Sequence, residues 1–163
     1  MFRPFIISLA LGIVVQGAVA DETPPSVTLP HLSMETALTI AQGAIQACRK
    51  EGIQVTATVV DRSGTVQVAL RDTIAAPITL TISRQKAFTA VNFKAATSAM
   101  GDRVGTPIGR IPGVVMWPGG LPIRAGGALL GAVGVSGAPS GTTDEVCAQA
   151  GIDKVIDDLE MAM

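Results

Sequence analysis

Residues 119–144 read GGLPIRAGGALLGAVGVSGAPSGTTD, in which two apolar runs are separated by a pair of glycines and followed by a polar segment. The Gly126-Gly127 pair lies between two apolar runs, and glycines that tolerate positive φ at this spacing are typical of a tight β-hairpin turn. Beyond the second apolar run, Thr142 and Glu145 form the capping pattern that begins a helix. The stretch therefore predicts a hairpin followed by the helix that covers it.

Glycines recur along this stretch where an ordinary strand would not favour them. Because glycine weakens a strand interior, Gly131 and Gly134 indicate the close approach of a helix, a ligand or another subunit. Small residues from Gly131 to Gly137 also predict that a sheet edge or face packs against a second copy of the chain. We interpret five glycines as structural: Gly119, Gly120, Gly131, Gly134 and Gly137.

The order of residues in this stretch resembles the GlcG/HbpS family of haem-binding or haem-degrading proteins, which is related to the PduO C-terminal domain. The resemblance includes GGLPI at 119–123 and AQAGI at 148–152. Upstream, VVDRSG at 59–64 is similar to the first hairpin of the family, and RQKAFTA at 84–90 to its second helix. The resemblance implies an α+β, profilin-like fold with a five-stranded antiparallel sheet flanked by helices.

Periodic segments before residue 119 predict the same fold class without the resemblance. They are a helix over about 34–51, strands over 55–60 and 66–70, and a helix over about 80–93. Residues 105–120 contain three prolines and form a long irregular segment, in which Val114–Trp117 is a candidate strand. Hairpins separated by helices favour an antiparallel sheet with helices on its faces, which is an α+β domain.

The N-terminus has the pattern of an export signal. Arg3 precedes a predominantly apolar run over 5–15, and small residues at 18–20 fit a cleavage site. The run is shorter than the roughly 20 residues of a membrane span, which favours a cleaved signal over an anchoring helix. We therefore expect a periplasmic or secreted protein with three parts: a signal peptide over 1–20, a proline-rich arm over 21–30 and a single domain over 31–163.

Composition excludes two classes of partner. The formal net charge is −1 and there is no basic block, so we expect neither nucleic acid nor, after signal cleavage, a membrane surface as a partner. Aromatic residues make up only 3% of the chain and tyrosine is absent, so platforms for stacking bases or sugars are scarce.

Catalytic patterns in the sequence are incomplete. The run Gly134–Ala138 misses the nucleophile-elbow pattern at its last position, and the only histidine, His31, lies upstream of it. One histidine and two distant cysteines do not supply the ligands of a closed zinc site. We assign no catalytic residue and leave open whether the protein is an enzyme.

The resemblance implies haem or a related small tetrapyrrole as the cofactor. His31 is the only imidazole that could ligate the iron, and the alternative is an exposed arm residue without a ligand. Met100 and Met116 are weaker thioether candidates. Three basic side chains are candidates to pair with haem propionates or another small carboxylate, the alternative being solvated surface residues: Arg84, Lys86 and Arg124.

Three functions follow from these patterns. The first is an exported haem- or tetrapyrrole-binding homo-oligomer, which acts in haem or iron handling or in redox sensing with a sensor protein. The second is a structural or interaction module that binds a partner or sensor protein without a cofactor. The third is a haem-degrading enzyme.

Two cysteines in an exported chain favour a disulfide. Cys48 falls on the apolar stripe of the first helix, and Cys147 lies about one turn into the last predicted helix. Both could face the same layer of the sheet, so we predict a Cys48–Cys147 bridge. The alternative is a pair of buried thiols that pack as small hydrophobic side chains.

Overall fold

The computed structural model of the protein describes residues 24–163. The predicted signal peptide over 1–20 lies outside the described residues, as does the beginning of the predicted arm over 21–30. Residues 24–30 of that arm form neither a helix nor a strand. Within 24–163, none of the helices combines the length and the hydropathy needed to cross a membrane.

Four strands and four α-helices form the described part of the chain. In chain order they are α1 (Met34–Lys50), β1 (Thr56–Asp61), β2 (Val66–Arg71), α2 (Ile78–Phe93), β3 (Gly120–Ala125), β4 (Ala128–Ser136), α3 (Gly141–Ile152) and α4 (Ile156–Met161). Two 3-10 helices, Thr97–Arg103 and Pro107–Arg110, lie between α2 and β3. The sequence predicted α1, β1, β2 and α2 to within about two residues at their ends, but it did not predict α4.

The strands form one antiparallel sheet in the order β2-β1-β4-β3. In the central pair Thr56 lies opposite Ser136 and Asp61 lies opposite Gly131. The β3–β4 hairpin turns through Gly126 and Gly127, whose φ angles of 53° and 76° are the positive values that glycine accommodates. The predicted hairpin and the α+β class are therefore confirmed.

The described residues contain four strands, so the expectation of a five-stranded sheet is wrong. The candidate strand Val114–Trp117 does not pair with a neighbouring strand. The backbone N–H of Val115 instead donates to Thr89 Oγ1 on α2 at 2.9 Å. Pro118 follows directly and has no N–H to donate, so the segment cannot continue as a paired strand. The profilin-like topology implied by the resemblance stays a prediction.

Helices cover both faces of the sheet. On one face α1 and α3 pack on an apolar core that includes Ala57 and Val59 of β1. On the other face α2 packs over Thr56, Thr58 and Val60, where Thr58 and Ser83 of α2 share a buried hydrogen bond of 2.8 Å. Because these hydroxyls satisfy one another, polar residues can lie under α2 without the cost of unpaired groups.

Two glycines of β4 allow backbone contacts inside the chain. A Cβ on Gly134 would collide with the Ser83 carbonyl and would lie 2.6 Å from the Ala87 nitrogen, both on α2. A Cβ on Gly131 would collide with the Val60 carbonyl of β1. The predicted close approach is thus made by a helix and a strand of the same chain. The prediction that these glycines pack against a second copy of the chain is therefore wrong, because β1 and α2 of the same chain already occupy the space beside them.

The helix after β4 begins at a different cap from the predicted one. Ser140, and not Thr142, is the N-cap of α3, and its Oγ accepts from the Thr143 N–H at 3.1 Å. Ser140 caps the helix in the way predicted for Thr142, because a side-chain oxygen at the cap accepts from the amide three residues later. The helix therefore starts two residues earlier than the sequence predicted.

A disulfide joins the two helices on one face of the sheet. Cys48 of α1 and Cys147 of α3 are bonded, with their Cα atoms 5.6 Å apart. Both residues are buried, at 0% and 2% exposure. The predicted bridge is confirmed, and it closes a loop that contains every strand of the sheet.

Candidate functional site

His31, the predicted iron ligand, lies on an anchored segment just before α1. The next residue, Leu32, is buried in the core, and its carbonyl accepts from Gln67 Nε2 of β2 at 3.0 Å. The imidazole of His31 is exposed. Two large apolar side chains close to it in the sequence, Leu29 and Met34, are also exposed. The backbone here is therefore fixed while the imidazole faces outward.

The two methionines considered as alternative iron ligands lie inside the protein. Met100 is 3% exposed and Met116 is 4% exposed. A thioether covered in this way cannot contact an external iron atom unless the surrounding segment moves. Of the three ligand candidates, only His31 presents its donor atom at the surface.

Lys86, a predicted partner of propionates, is a buried residue with protein partners. Its Nζ donates to the Val135 carbonyl at 2.9 Å and to Asp144 Oδ2 at 2.8 Å. The side chains of Lys86 and Asp144 are each only 4% exposed, so they form an internal ion pair between α2 and α3. Sequence reasoning missed Asp144 as the partner, although its place in the first turn of the last predicted helix was a usable signal.

Burial governs the electrostatics of this pair. It raises the pKa of Asp144, while hydrogen bonds from Lys86 and from the Ala138 N–H act in the opposite direction. Both carboxylate oxygens therefore have a donor, at 2.8 Å from Lys86 and 2.9 Å from Ala138. Charges held in the interior are stable only when they are paired and hydrogen-bonded in this way.

Two of the predicted structural glycines make room for the pair. A Cβ on Gly119, which has a φ of 117°, would lie 2.7 Å from Lys86 Nζ. A Cβ on Gly120 would lie 2.5 Å from the Lys86 carbonyl. A third, Gly137, has a φ of 131° and follows β4 directly. Larger residues at the first two positions would push α2 away from the start of β3.

The two arginines lie at the surface and apart from Lys86. Arg84 is exposed on α2, where it lines a cavity of about 180 Å³ together with Phe88 and Pro112. Arg124 is exposed on β3 and donates from Nη2 to the Lys94 carbonyl at 3.1 Å. Each keeps further N–H groups free to bind an anion.

The predicted site residues do not meet in one pocket of a single chain. Leu32, next to His31, packs near Gly131, whereas Lys86 binds the carbonyl of Val135. Four residues of a strand span about 13 Å. In addition, α1 and α2 cover opposite faces of the sheet. His31 and Lys86 therefore serve different places in the molecule.

Within residues 24–163, no group of three or more His, Cys, Asp or Glu side chains is arranged to hold a metal ion. Histidine ligation of a haem iron needs no such cluster, because the porphyrin nitrogens supply the equatorial ligands.

Comparison with protein-family models matches residues 32–153 to the family described as haem degrading protein HbpS-like. The chain belongs to the HbpS-like family. The matched segment contains Lys86 and Asp144, and it begins one residue after His31. The buried pair therefore lies within the segment that matches the family, whereas His31 lies just outside it and its role has to be argued from the residues around it.

Solved structures agree with this membership. A double mutant of Streptomyces reticuli HbpS is 37% identical with a TM-score of 0.77, and the match covers 86% of this chain and 98% of that one. A PduOC–haem complex is 28% identical with a TM-score of 0.70, covering 76% and 94%. Klebsiella pneumoniae protein ORFY, at 24% identity and a TM-score of 0.76 over 82% and 96%, shares the fold. A search of proteins with curated functions gave no match.

Proposed function

We propose that this HbpS-like protein is exported and binds haem, with His31 as the iron ligand. The observation that carries the proposal is the exposed imidazole on an anchored segment, in a chain 28% identical to a protein whose structure is a haem complex. Imidazole is a common axial ligand of haem iron, and when bound the haem would supply redox-active iron.

The surroundings of His31 fit one face of a porphyrin. Val27, Leu29 and Met34 have exposed fractions of 69%, 45% and 60%, so large apolar side chains border the imidazole along the chain. Gln67 Oε1, on the side chain that holds the Leu32 carbonyl, is buried without a hydrogen-bond partner among the described residues. This unpaired acceptor lies beside the segment that carries the exposed imidazole of His31, as expected for a site that binds a ligand.

A second copy of the chain would complete this site. Small-molecule pockets bury most of their ligand, whereas His31 and its apolar neighbours lie at the surface of one chain. We therefore propose a homo-oligomer in which the partner copy covers the other face of the haem. Light scattering of the haem-loaded protein measures this, and a monomer mass would contradict the shared site.

Arg84 and Arg124 are the basic residues with N–H groups left to pair with propionates. Lys86 is less suited to a haem at the surface around His31, because its side chain is only 4% exposed and lies in a different part of the molecule. An arginine offers a planar pair of donors that matches a carboxylate. Because the arginines do not meet His31 in one pocket of a single chain, we propose that they reach the propionates from the partner copy, and substitution of either by alanine should lower haem affinity without changing the spin state of the iron.

Haem titration followed by absorbance tests the proposal. We expect a saturable Soret band in the wild type and its loss or shift to a different ligation state in His31→Ala. Leu29→Ala is the matched control, since it removes apolar area beside the imidazole but leaves the ligand. An unchanged spectrum in His31→Ala would overturn the assignment of the ligand, and no Soret change in the wild type would favour the cofactor-free interaction module.

The same titration separates binding from degradation, because progressive bleaching with a reductant would indicate a haem-degrading enzyme. The description of the family as haem degrading makes this the second candidate function. Export is tested by N-terminal sequencing of the mature protein, which should begin at Asp21 if the predicted signal is cleaved. A role in redox sensing would further require a partner that binds the haem-loaded form.

A further inference from the structure

The buried ion pair lies at the floor of an open cleft on the other side of the molecule from His31. The cleft has a volume of about 430 Å³ and lies between the first half of α2, the end of β4 and the beginning of α3. Lys86, Asp144 and Ser136 contribute its polar lining, and Ile82 and Ala138 contribute apolar walls. Trp117 lies at its mouth with 56% of its surface exposed.

Hydrogen-bond donors at the floor of this cleft have unused capacity. Ser136 is 95% buried, at 5% exposure, and among residues 24–163 its Oγ has no hydrogen-bond partner. Lys86 Nζ carries three N–H groups, of which two bind Val135 and Asp144. The Ser136 hydroxyl and the third N–H of Lys86 both line the cleft without a partner in the described part of the chain, so both are available to an acceptor that enters it.

The chemistry of these groups selects an anion. Asp144 already accepts a hydrogen bond on each oxygen, from Lys86 and from Ala138, while Lys86 Nζ and Ser136 Oγ each keep a hydrogen atom to donate to a ligand. The cleft also borders Gly141, the first residue of the 12-residue helix α3, whose N-terminus favours negative charge. Trp117 at the mouth offers a face on which a planar group can stack.

We propose that this cleft binds a small organic carboxylate, whose oxygens accept from Lys86 Nζ and Ser136 Oγ while its planar portion packs on Trp117. The volume is within the range of small-molecule pockets, about 300–1,000 Å³. The carboxylate is either that of a free organic acid or one carried by the tetrapyrrole. This site does not depend on iron ligation by His31.

Trp117 provides the measurement, because it is the only tryptophan of the chain and there is no tyrosine. We expect benzoate to produce a saturable change in its fluorescence, whereas benzamide, the neutral analogue, should produce a much weaker one. Ser136→Ala should lower the affinity for benzoate about tenfold, as expected for the loss of one hydrogen bond to a charged group. Ser63→Ala, in the exposed turn between β1 and β2, is the matched control and should leave the affinity unchanged.

Calorimetry on haem-free and haem-loaded protein separates the two sources of the carboxylate. Equal benzoate affinity in both forms identifies a free organic acid as the ligand. Loss of benzoate binding on haem loading, together with weaker haem binding in Ser136→Ala, identifies a propionate of the tetrapyrrole. A wild type that shows no saturable response, or an unchanged affinity in a folded Ser136→Ala, would overturn the proposal. Benzoate binding in a chain that binds no haem would overturn only the haem function.

Discussion

Reduction of the Cys48–Cys147 disulfide should lower the melting temperature substantially. The bridge joins residues 99 positions apart, so it restricts a loop of about 100 residues in the unfolded chain. In the chain-entropy model such a loop corresponds to about 4.7 kcal/mol at 25 °C, which is an upper value because measured bridges often contribute less. Reduction leaves both sulfur atoms in the core, so it opens no cavity.

The expected change in melting temperature follows from the size of the folded part. An entropy of unfolding of about 2.1 cal/mol/K per residue gives about 0.3 kcal/mol/K for roughly 140 residues. Dividing the free energy by this entropy gives an upper limit of about 16 °C for the decrease in melting temperature.

Calorimetry or circular dichroism on oxidised and fully reduced samples of the same protein measures this decrease. The Cys48→Ala, Cys147→Ala double variant is a second sample without the bridge, and it should melt at or below the temperature of the reduced wild type, because it also removes two buried sulfur atoms. A decrease below about 3 °C in a sample with two titrated thiols would refute the loop argument, because it would place the stabilisation under 1 kcal/mol. Two free thiols in the unfolded, never-reduced protein would show that the bridge does not form.

Two further substitutions test the packing and the charges of the fold. Gly134→Ala should destabilise the protein by about 3 kcal/mol or more in urea unfolding, because the new Cβ meets backbone atoms of α2. Gly101→Ala, where nothing lies within 4 Å of the added carbon, should be close to neutral, and equal effects would contradict this packing account. The hydrogen bonds from Arg49 hold the pKa of the Asp72 carboxyl in the folded protein below its usual value. The pair therefore stabilises the fold at any pH above the usual pKa of aspartate, and this stabilisation is lost as the pH falls through the lowered pKa. Asp72→Asn should therefore be less stable at neutral pH and should lose less stability between neutral and acid pH, whereas an acid profile parallel to that of the wild type would contradict the linkage.

Local patterns in the sequence were sufficient to predict most of the helices and strands. The 3.6-residue periodicity located α1 because its apolar stripe meets the sheet, and the Gly126-Gly127 pair located the β3–β4 turn because few other residues accept its φ angles. The cysteine pairing was predictable for a related reason, since both residues lie on the buried sides of helices that cover one face.

The candidate site was less accessible to sequence reasoning because its contacts are long-range. Lys86 and Asp144 are 58 residues apart, and nothing in the local pattern of α2 distinguishes a buried lysine from a solvated one. A lysine is almost never fully buried unless it is paired, so the surface interpretation was the ordinary one. The prediction of a fifth strand failed for a more local reason. The Val115 N–H donates to the Thr89 hydroxyl and Pro118 has no N–H, so Val114–Trp117 does not pair with the sheet.

The small residues of β4 serve the inside of the subunit, and this restricts where a second copy can bind. Gly134 lies against α2 and the flanking strands, and residues 130–136 of β4 are all buried, so this part of β4 offers no surface for another chain. Large apolar side chains are instead exposed at residues before and within α2 and in the irregular segment that follows it, as Ile74, Ile78 and Ile111 illustrate with 77%, 61% and 50% exposure. Apolar area of this kind is what subunit contacts bury. The homo-oligomer that we propose would therefore use exposed apolar residues of this kind, and the glycines of β4 would contribute to it only by holding the sheet and α2 in place.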